Sequence, residues 1–380
     1  MTDVLVIQSA REVKPGGGVS GVAFELGENL KSSNVEIGSF TIDDIYPNSF
    51  KNSSNLFLKK IAQLFDIIVY GVWGSLKLKR LYKSNNQAVV LCHNDGLYGD
   101  IYINHGLHRA MLFASDHPYR MLLRNPLHLY LLVREWVRFK LNIHKHIVCF
   151  SANDASIMEK TYPNTLGRIT IIPNGVHINK FMPNSMVRKE KRLELGYLES
   201  DFVLIFVGHE FDRKGLKFLV NSLLNLPENV KLLVVGGGSA EKIEEYKNYC
   251  KDNGLTHRVS FLGTRKDIPD LLNASDCFVM PSAFEAWPLV GLEAMACAKP
   301  ALITDTGGVS AFVKPGYNGY LIKRDADDIA EKIRSLMSDE ASYIQICKQA
   351  RETAESYSWQ NIADKYLSLI KQCLVEKNNA

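Results

Sequence analysis

Twice along the chain, short β-branched runs alternate with segments of helical period, and no other feature narrows the possible folds as far. That alternation builds parallel sheets covered by helices on both faces, so the expected class is α/β. In the first series VLVIQS, VEIGSF, DIIVY, AVVLC and IVCF read as strands, and Val19, Val22, Ala23, Leu26 and Leu30 share one face of a first crossover helix. VLIFVG, from Val203, opens a second series continued by KLLVVGGG, RVSFLG, CFVMP and PALIT. Between the two, IIPNGVHINKFMP carries Pro173, Asn174 and Gly175, a turn signal after a strand, and Pro183 discourages further regular structure. The expected organisation is two Rossmann-like domains, residues 1–174 and 175–357, facing across a cleft, with a helix in 358–380 packing back across their boundary. A length of 380 residues also suits two domains.

Composition excludes several classes. The chain is 46% hydrophobic and 23% charged, and no apolar run reaches the roughly 20 residues of a membrane-spanning helix. Met1 leads almost at once into VLVIQS with no basic stretch and long apolar segment, so no secretory signal is expected and a cytoplasmic location follows. Seven scattered cysteines without a close pair argue against a disulfide framework or a zinc site. The net charge of +4 is unevenly spread: 14 Lys/Arg stand against 5 Asp/Glu from Lys51 to Phe150, including Lys77, Lys79, Arg80 and Lys83. That excess suits an anionic surface or acceptor, or a solvated basic face. The stretch HPYRMLLRNPLHLYLLVREWVRFK is expected to bury most of its apolar residues, with contact to an anionic membrane face as the alternative.

In open α/β sheets, ligands sit outside the carboxyl ends of the strands, so the loops there hold the candidate site residues. The first is KPGGGVSG, where Gly16, Gly17 and Gly18 are phosphate candidates, or simply turn formers. It fits the dinucleotide fingerprint poorly, because six residues separate the strand from the glycines. In GHEFDRKGLKFL, Arg213 and Lys214 stand at a helix start, where cations are locally unfavourable and a bound diphosphate would account for them. PSAFEAWPLVGLEAMACAKPALITDTGG places Glu285 on a loop after a strand and Glu293 one turn into a helix beginning near Leu289. Two carboxylates so spaced, with the amides of Leu289 and Val290 between them, can grip an elongated polar ligand: Glu285 on sugar hydroxyls, Glu293 on ribose hydroxyls, the amides on phosphates.

This segment resembles the E-x7-E signature of glycosyltransferase family 4, the retaining GT-B enzymes, with Glu285 and Glu293 at its two positions. PNGV before Phe181, VG…RKG around Arg213 and Lys214, VVGGG, FLG ending at Gly263, and SWxxxAxxY at Trp359 agree, and the likeness is greatest to lipopolysaccharide core hexosyltransferases. The resemblance implies that Arg213 and Lys214 neutralise the departing diphosphate and that Glu293 holds the ribose. It further implies that Glu285 and the following amides position the donor sugar, with Gly263 and Trp287 on the donor side and Gly17 or Gly18 approaching the diphosphate from the other domain. His105, in NHG, matches a histidine near the reacting carbon, and Asp100 resembles an acidic residue of the core hexosyltransferases on the acceptor side. His93 is read first as structural and second as acceptor-side. His209 stands where many members have Arg, and Pro288 where many have Gly.

The expected activity is transfer of a hexose, with retention, from a nucleotide-diphosphate donor, UDP-linked, to a hydroxyl of a glycan or glycolipid in lipopolysaccharide or polysaccharide synthesis. The departing phosphate oxygen takes the acceptor's proton, and no cofactor or metal is required. The expected partners are the donor, the acceptor and an anionic surface on the inner face of the plasma membrane, and no nucleic acid. A non-catalytic sugar-nucleotide-binding scaffold and a sugar-nucleotide epimerase are the alternatives.

Overall fold

The computed structural model describes residues 4–16, 18–31, 35–46, 56–113, 117–125, 127–237 and 239–379. The chain divides into two compact units, Met1–Asn174 with Trp359–Ala380, and Gly175–Ser358.

The first unit runs β1 (Val4–Ser9), α1 (Gly18–Leu30), β2 (Val35–Phe40), α2 (Leu56–Val69), α3 (Ser75–Tyr82), β3 (Ala88–His93), β4 (Ile101–Ile103), α4 (His108–Phe113), α5 (Pro118–Arg124), α6 (Leu127–Lys140), β5 (His146–Cys149), α7 (Ala152–Thr161) and β6 (Ile169–Ile171). Its strands form one parallel sheet in the order β2-β1-β3-β4-β5-β6. Central β3 is buried along its whole length, as a strand covered on both faces must be. DIIVY is not a strand. Asp66 and Val69 lie in α2, and a π turn, Tyr70–Gly74, links α2 to α3. The physical reason lies outside the short β-branched run: Asp66, Tyr70, Gly74 and Leu78 recur every four residues and all are buried, so the helical period prevails over local β propensity.

α6 is turned against expectation. Among its apolar residues only Phe139 is fully buried, whereas Arg134, Glu135 and Arg138 are buried and Leu129, Val133 and Trp136 are exposed. The inward charges each have partners. Arg134 donates to the Asp95 carbonyl (2.9 Å), Arg138 to the carbonyls of Asn94 (2.7 Å) and Gly96 (2.8 Å), and Glu135 accepts from the His108 amide (2.6 Å) at the start of α4. Those bonds satisfy the backbone of the loop after β3 and offset the cost of burying charge.

The second unit runs β7 (Phe202–Val207), α9 (Leu216–Ser222), β8 (Val230–Val235), α10 (Ala240–Asp252), β9 (Val259–Phe261), α11 (Ile268–Ala274), β10 (Cys277–Met280), α12 (Leu289–Ala296), β11 (Ala301–Thr304), α13 (Val309–Phe312), β12 (Gly319–Ile322), α14 (Ala326–Met337) and α15 (Glu340–Ser356), preceded by α8 (Ser185–Leu195). Its parallel sheet has the order β12-β11-β10-β7-β8-β9, so β7 and β10 are neighbours and their loops leave the sheet side by side. The last helix, α16 (Trp359–Asn378), belongs to the first unit, where Lys377 donates to the Ala88 carbonyl (2.8 Å). No helix among the described residues is long and apolar enough to cross a membrane.

A buried charge group ties α8 to the second sheet. Arg192 is 1% exposed and donates to the carbonyls of Asp201 (2.7 Å) and Ala274 (3.0 Å) and to Asp276 (3.2 Å), which also accepts from the Val203 amide (2.7 Å). Removing Arg192 leaves the buried Asp201 carbonyl without this donor, while Asp276 keeps Arg188 (2.6 Å), so Arg192→Ala is expected to cost about 1–3 kcal/mol, read as a lowered urea midpoint.

Candidate active site

In the second unit the loop after β7 and the loop after β10 are joined directly. The Ala283 amide donates to the Arg213 carbonyl (2.8 Å), while the Arg213 guanidinium reaches back to the Phe284 carbonyl. Two glycines make this approach possible. A Cβ on Gly208 would lie 2.2 Å from the Lys214 stem, and one on Gly215, whose φ is +76°, would lie 2.0 Å from the Pro281 carbonyl oxygen.

Glu285 is the centre of the assembly. Its Oε1 accepts from Lys214 Nζ (3.0 Å), Arg213 Nη1 (3.3 Å) and the Ser282 hydroxyl (3.0 Å), and its Oε2 meets no donor among the described residues. Arg213 is further held by Glu210 at 2.7 Å and 2.9 Å. The two cations are therefore aimed before any ligand arrives, with their charge balanced by Glu285 and Glu210. The loop carrying Glu285 is fixed from its other side as well. Thr304 donates to the Ser282 carbonyl (2.6 Å), Gly308 to the Ala286 carbonyl (3.0 Å), and a Cβ on Gly307 would sit 2.0 Å from the Glu285 carbonyl oxygen.

α12 starts at Leu289 behind Pro288 with no side-chain cap, and the amides of Leu289 and Val290 find no acceptor among the described residues. Unpaired N–H groups at a helix start attract an anion. The carboxyl of Glu293, one turn on, has no hydrogen-bond partner among the described residues. Burial pushes its carboxyl up to about 7, a rise that the charge of Lys180 partly opposes. Trp287 is packed with Phe312 (5.3 Å between ring centroids) and Tyr357 (5.8 Å), and Gly263 takes a φ of +65° at the end of β9. His209 exchanges contacts with the backbone of Gly237 at 3.0 Å.

The first unit holds a separate cluster. His93 is fully buried; its Nε2 donates to Gln8 Oε1 (2.5 Å), which leaves its Nδ1 to accept from His105 Nε2 (3.2 Å). His105 Nδ1 is then a lone-pair acceptor. Burial keeps both rings neutral, holding His93 well below the usual histidine range and His105 down to about 4. Asp100, assigned above to the acceptor side, lies at the amino end of β4, away from the carboxyl-end loops. Its oxygens are engaged by Lys377 (3.0 and 3.1 Å) and the Val90 amide (2.8 Å). Gly16 adopts a φ of +142° before α1 and Gly18, the first residue of α1, a φ of +71°, and Gly17 lies outside the described residues.

Sequence reasoning missed Gln8, Ser282 and Lys180. Gln8 carried a signal, a polar residue within the buried run VLVIQS, and so did Ser282, between a strand end and a carboxylate. Nothing in the sequence pairs Lys180 with Glu293.

The unpaired Glu293 yields a stability test. Between pH 4.5, its ordinary value, and about 7, the folded chain keeps a proton that the unfolded chain has released, so this group's contribution falls as pH rises through that interval and stays low above it. Glu293→Gln is expected to raise the thermal midpoint at about pH 8 and to leave it unchanged near pH 4, where both states are protonated, as differential scanning calorimetry would show.

Comparison with known proteins places this geometry. An Escherichia coli UDP-Gal:alpha-D-GlcNAc-diphosphoundecaprenol alpha-1,3-galactosyltransferase is 32% identical over 214 residues, 54% of this chain and 54% of that protein. The chain spans about half the length of the curated relatives it matches. Among solved structures, WaaG, a glycosyltransferase involved in lipopolysaccharide biosynthesis, superposes with a TM-score of 0.73 at 19% identity, covering 96% of this chain and 99% of that one. Anabaena HepE, in complex with UDP and glucose, superposes with a TM-score of 0.70 at 18% identity, covering 97% and 100%. These likenesses show the fold, that of GT-B glycosyltransferases. Residues 187–357, the segment that contains Arg213, Lys214, Glu285 and Glu293, match the family model described as glycosyl transferases group 1.

Proposed function

We propose that the chain is a retaining glycosyltransferase of family 4 that moves a hexose from a UDP-linked donor to a hydroxyl of a glycan or lipid-linked acceptor. The observation that carries this reading is the convergence of Arg213, Lys214 and Ser282 on one oxygen of Glu285, at the head of the helix that bears Glu293. Glu293 and the amides of Leu289 and Val290 hold the ribose and the diphosphate, while Glu285 Oε2 takes a hydroxyl of the sugar.

The chemistry follows from charge. As the anomeric carbon becomes cation-like, negative charge grows on the departing phosphate, and preorganised donors aimed at that charge are the largest catalytic term. Arg213 and Lys214 supply it, released in part from Glu285 as the diphosphate competes for them. The acceptor's proton passes to the departing phosphate oxygen, so no protein base is needed. His105, neutral and turned to accept, orients a hydroxyl in the first unit. The E. coli relative's lipid-linked acceptor and the role of WaaG support an acceptor in cell-surface glycan synthesis and work at an anionic membrane face.

Two experiments test the assignment. Calorimetric titration with UDP should show binding weakened by about 1.5–3 kcal/mol in Glu293→Ala, whereas Glu285→Gln should bind UDP at least as well as the parent and lose about 10²-fold in turnover. Unchanged UDP affinity in the first variant would refute the ribose role. No metal takes part in the proposed step, so donor turnover is expected to persist in EDTA. Loss of activity restored by a divalent ion would overturn that part, and donor consumed without acceptor or water as co-substrate would favour an epimerase.

A further inference from the structure

A guanidinium has five N–H donors, and four of those on Arg213 are already engaged. Nη1 donates to the Phe284 carbonyl and to Glu285 Oε1 (3.3 Å), while Nε (2.9 Å) and Nη2 (2.7 Å) both donate to Glu210 Oε2. The Nε and Nη2 side is an edge on which a guanidinium grips a phosphate or carboxylate with two parallel bonds, and Glu210 covers it. Arg213 can therefore make no bidentate contact with a diphosphate until one of its partners lets go.

Exposure and anchoring single out the partner. The Phe284 carbonyl belongs to the loop that the Ala283 amide locks to Arg213, and Glu285 is 14% exposed and shared with Lys214 and Ser282. Glu210 is 65% exposed, and its carboxylate has no other hydrogen-bond partner among the described residues. An exposed ion pair within one turn is weak, so a more highly charged anion displaces it readily. The backbone does not have to follow. The Glu210 carbonyl accepts from the Lys214 amide (2.8 Å), and the next residue, Phe211, is 2% exposed and packed on Phe206 and Tyr246. Only the Glu210 side chain has to turn outward.

We infer that Glu210 is an internal counter-ion that occupies the phosphate-gripping edge of Arg213, yields it to the donor diphosphate, and takes it back as the nucleoside diphosphate leaves. Glu210 is thereby a positioning residue, acting on the substrate only through Arg213. It keeps the guanidinium aimed before the donor arrives and sets how tightly the free diphosphate is held. In UDP the terminal phosphate carries more negative charge than in a donor where the sugar esterifies it, so a competing carboxylate disfavours the product more than the donor. The inference rests on the diphosphate role given to Arg213 in the proposed function.

The test is calorimetric titration of the parent, Glu210→Gln, Arg213→Ala and the double variant, each with UDP and with uridine. Gln keeps the size of the side chain and removes its charge, so Glu210→Gln is expected to bind UDP about threefold to tenfold more tightly and uridine as the parent does. UDP should inhibit turnover of this variant more strongly by the same factor. Arg213→Ala should weaken UDP binding, and adding Glu210→Gln to it should change nothing further, because the two side chains act as a pair. UDP affinity unchanged or weakened in Glu210→Gln, while Arg213→Ala still weakens it, overturns this inference and leaves the proposed function standing. Equal tightening for uridine, or equal tightening in the Arg213→Ala background, also overturns it, since the effect would then not pass through the guanidinium and the diphosphate. UDP affinity unchanged in Arg213→Ala overturns the inference together with the role on which it rests.

Discussion

A single carboxylate oxygen, Oε1 of Glu285, organises the second unit's functional edge. It lies between an ammonium, a guanidinium and a hydroxyl, and none of these groups is at ease alone in a half-buried position. The arrangement is affordable only because the two loops are already locked by backbone hydrogen bonding between Ala283 and Arg213, which is open to them because β7 and β10 are adjacent strands. Sheet order thus sets loop adjacency, and loop adjacency sets charge geometry. The glycines at 208, 215 and 307 are where side chains would otherwise hold the backbones apart.

The contrast between the two glutamates is informative. Glu285 is saturated on one oxygen and holds its cations; the Glu293 carboxyl is half-buried, with a cation at Lys180 and no hydrogen bond among the described residues. A fold stabilised for its own sake would not retain the second arrangement, because a carboxyl pushed toward neutrality weakens the native state. A ligand with two vicinal hydroxyls would restore what burial removes.

Much of this was legible in the residues. The runs that became β7 and β10 stand out as continuous apolar stretches, as strands buried on both faces must, and the start of α12 is announced by Pro288. Legibility failed where local pattern and tertiary context disagree. DIIVY has strand composition but lies in a helix whose period is visible only over a window reaching Leu78. α6 reads as a helix with an apolar inner face, yet its arginines go inward to the carbonyls that the loop after β3 offers. Asp100 looked like a site residue beside His93 and His105, but its partner Lys377 is 277 positions away, beyond the reach of any local pattern. For Glu285 the sequence placed the residue on its loop; the sharing of one oxygen among three donors depends on how neighbouring loops fold.

That distant pairing bears on how the molecule is made. The first unit is discontinuous: β3 and β4 receive Lys377 of α16 only after the whole of Gly175–Ser358 has been synthesised. On the ribosome, all six strands of the first sheet emerge before the second unit begins, so the earlier sheet can assemble first and lacks only α16. The α16 residues are then the closing piece, added after the second unit has been made.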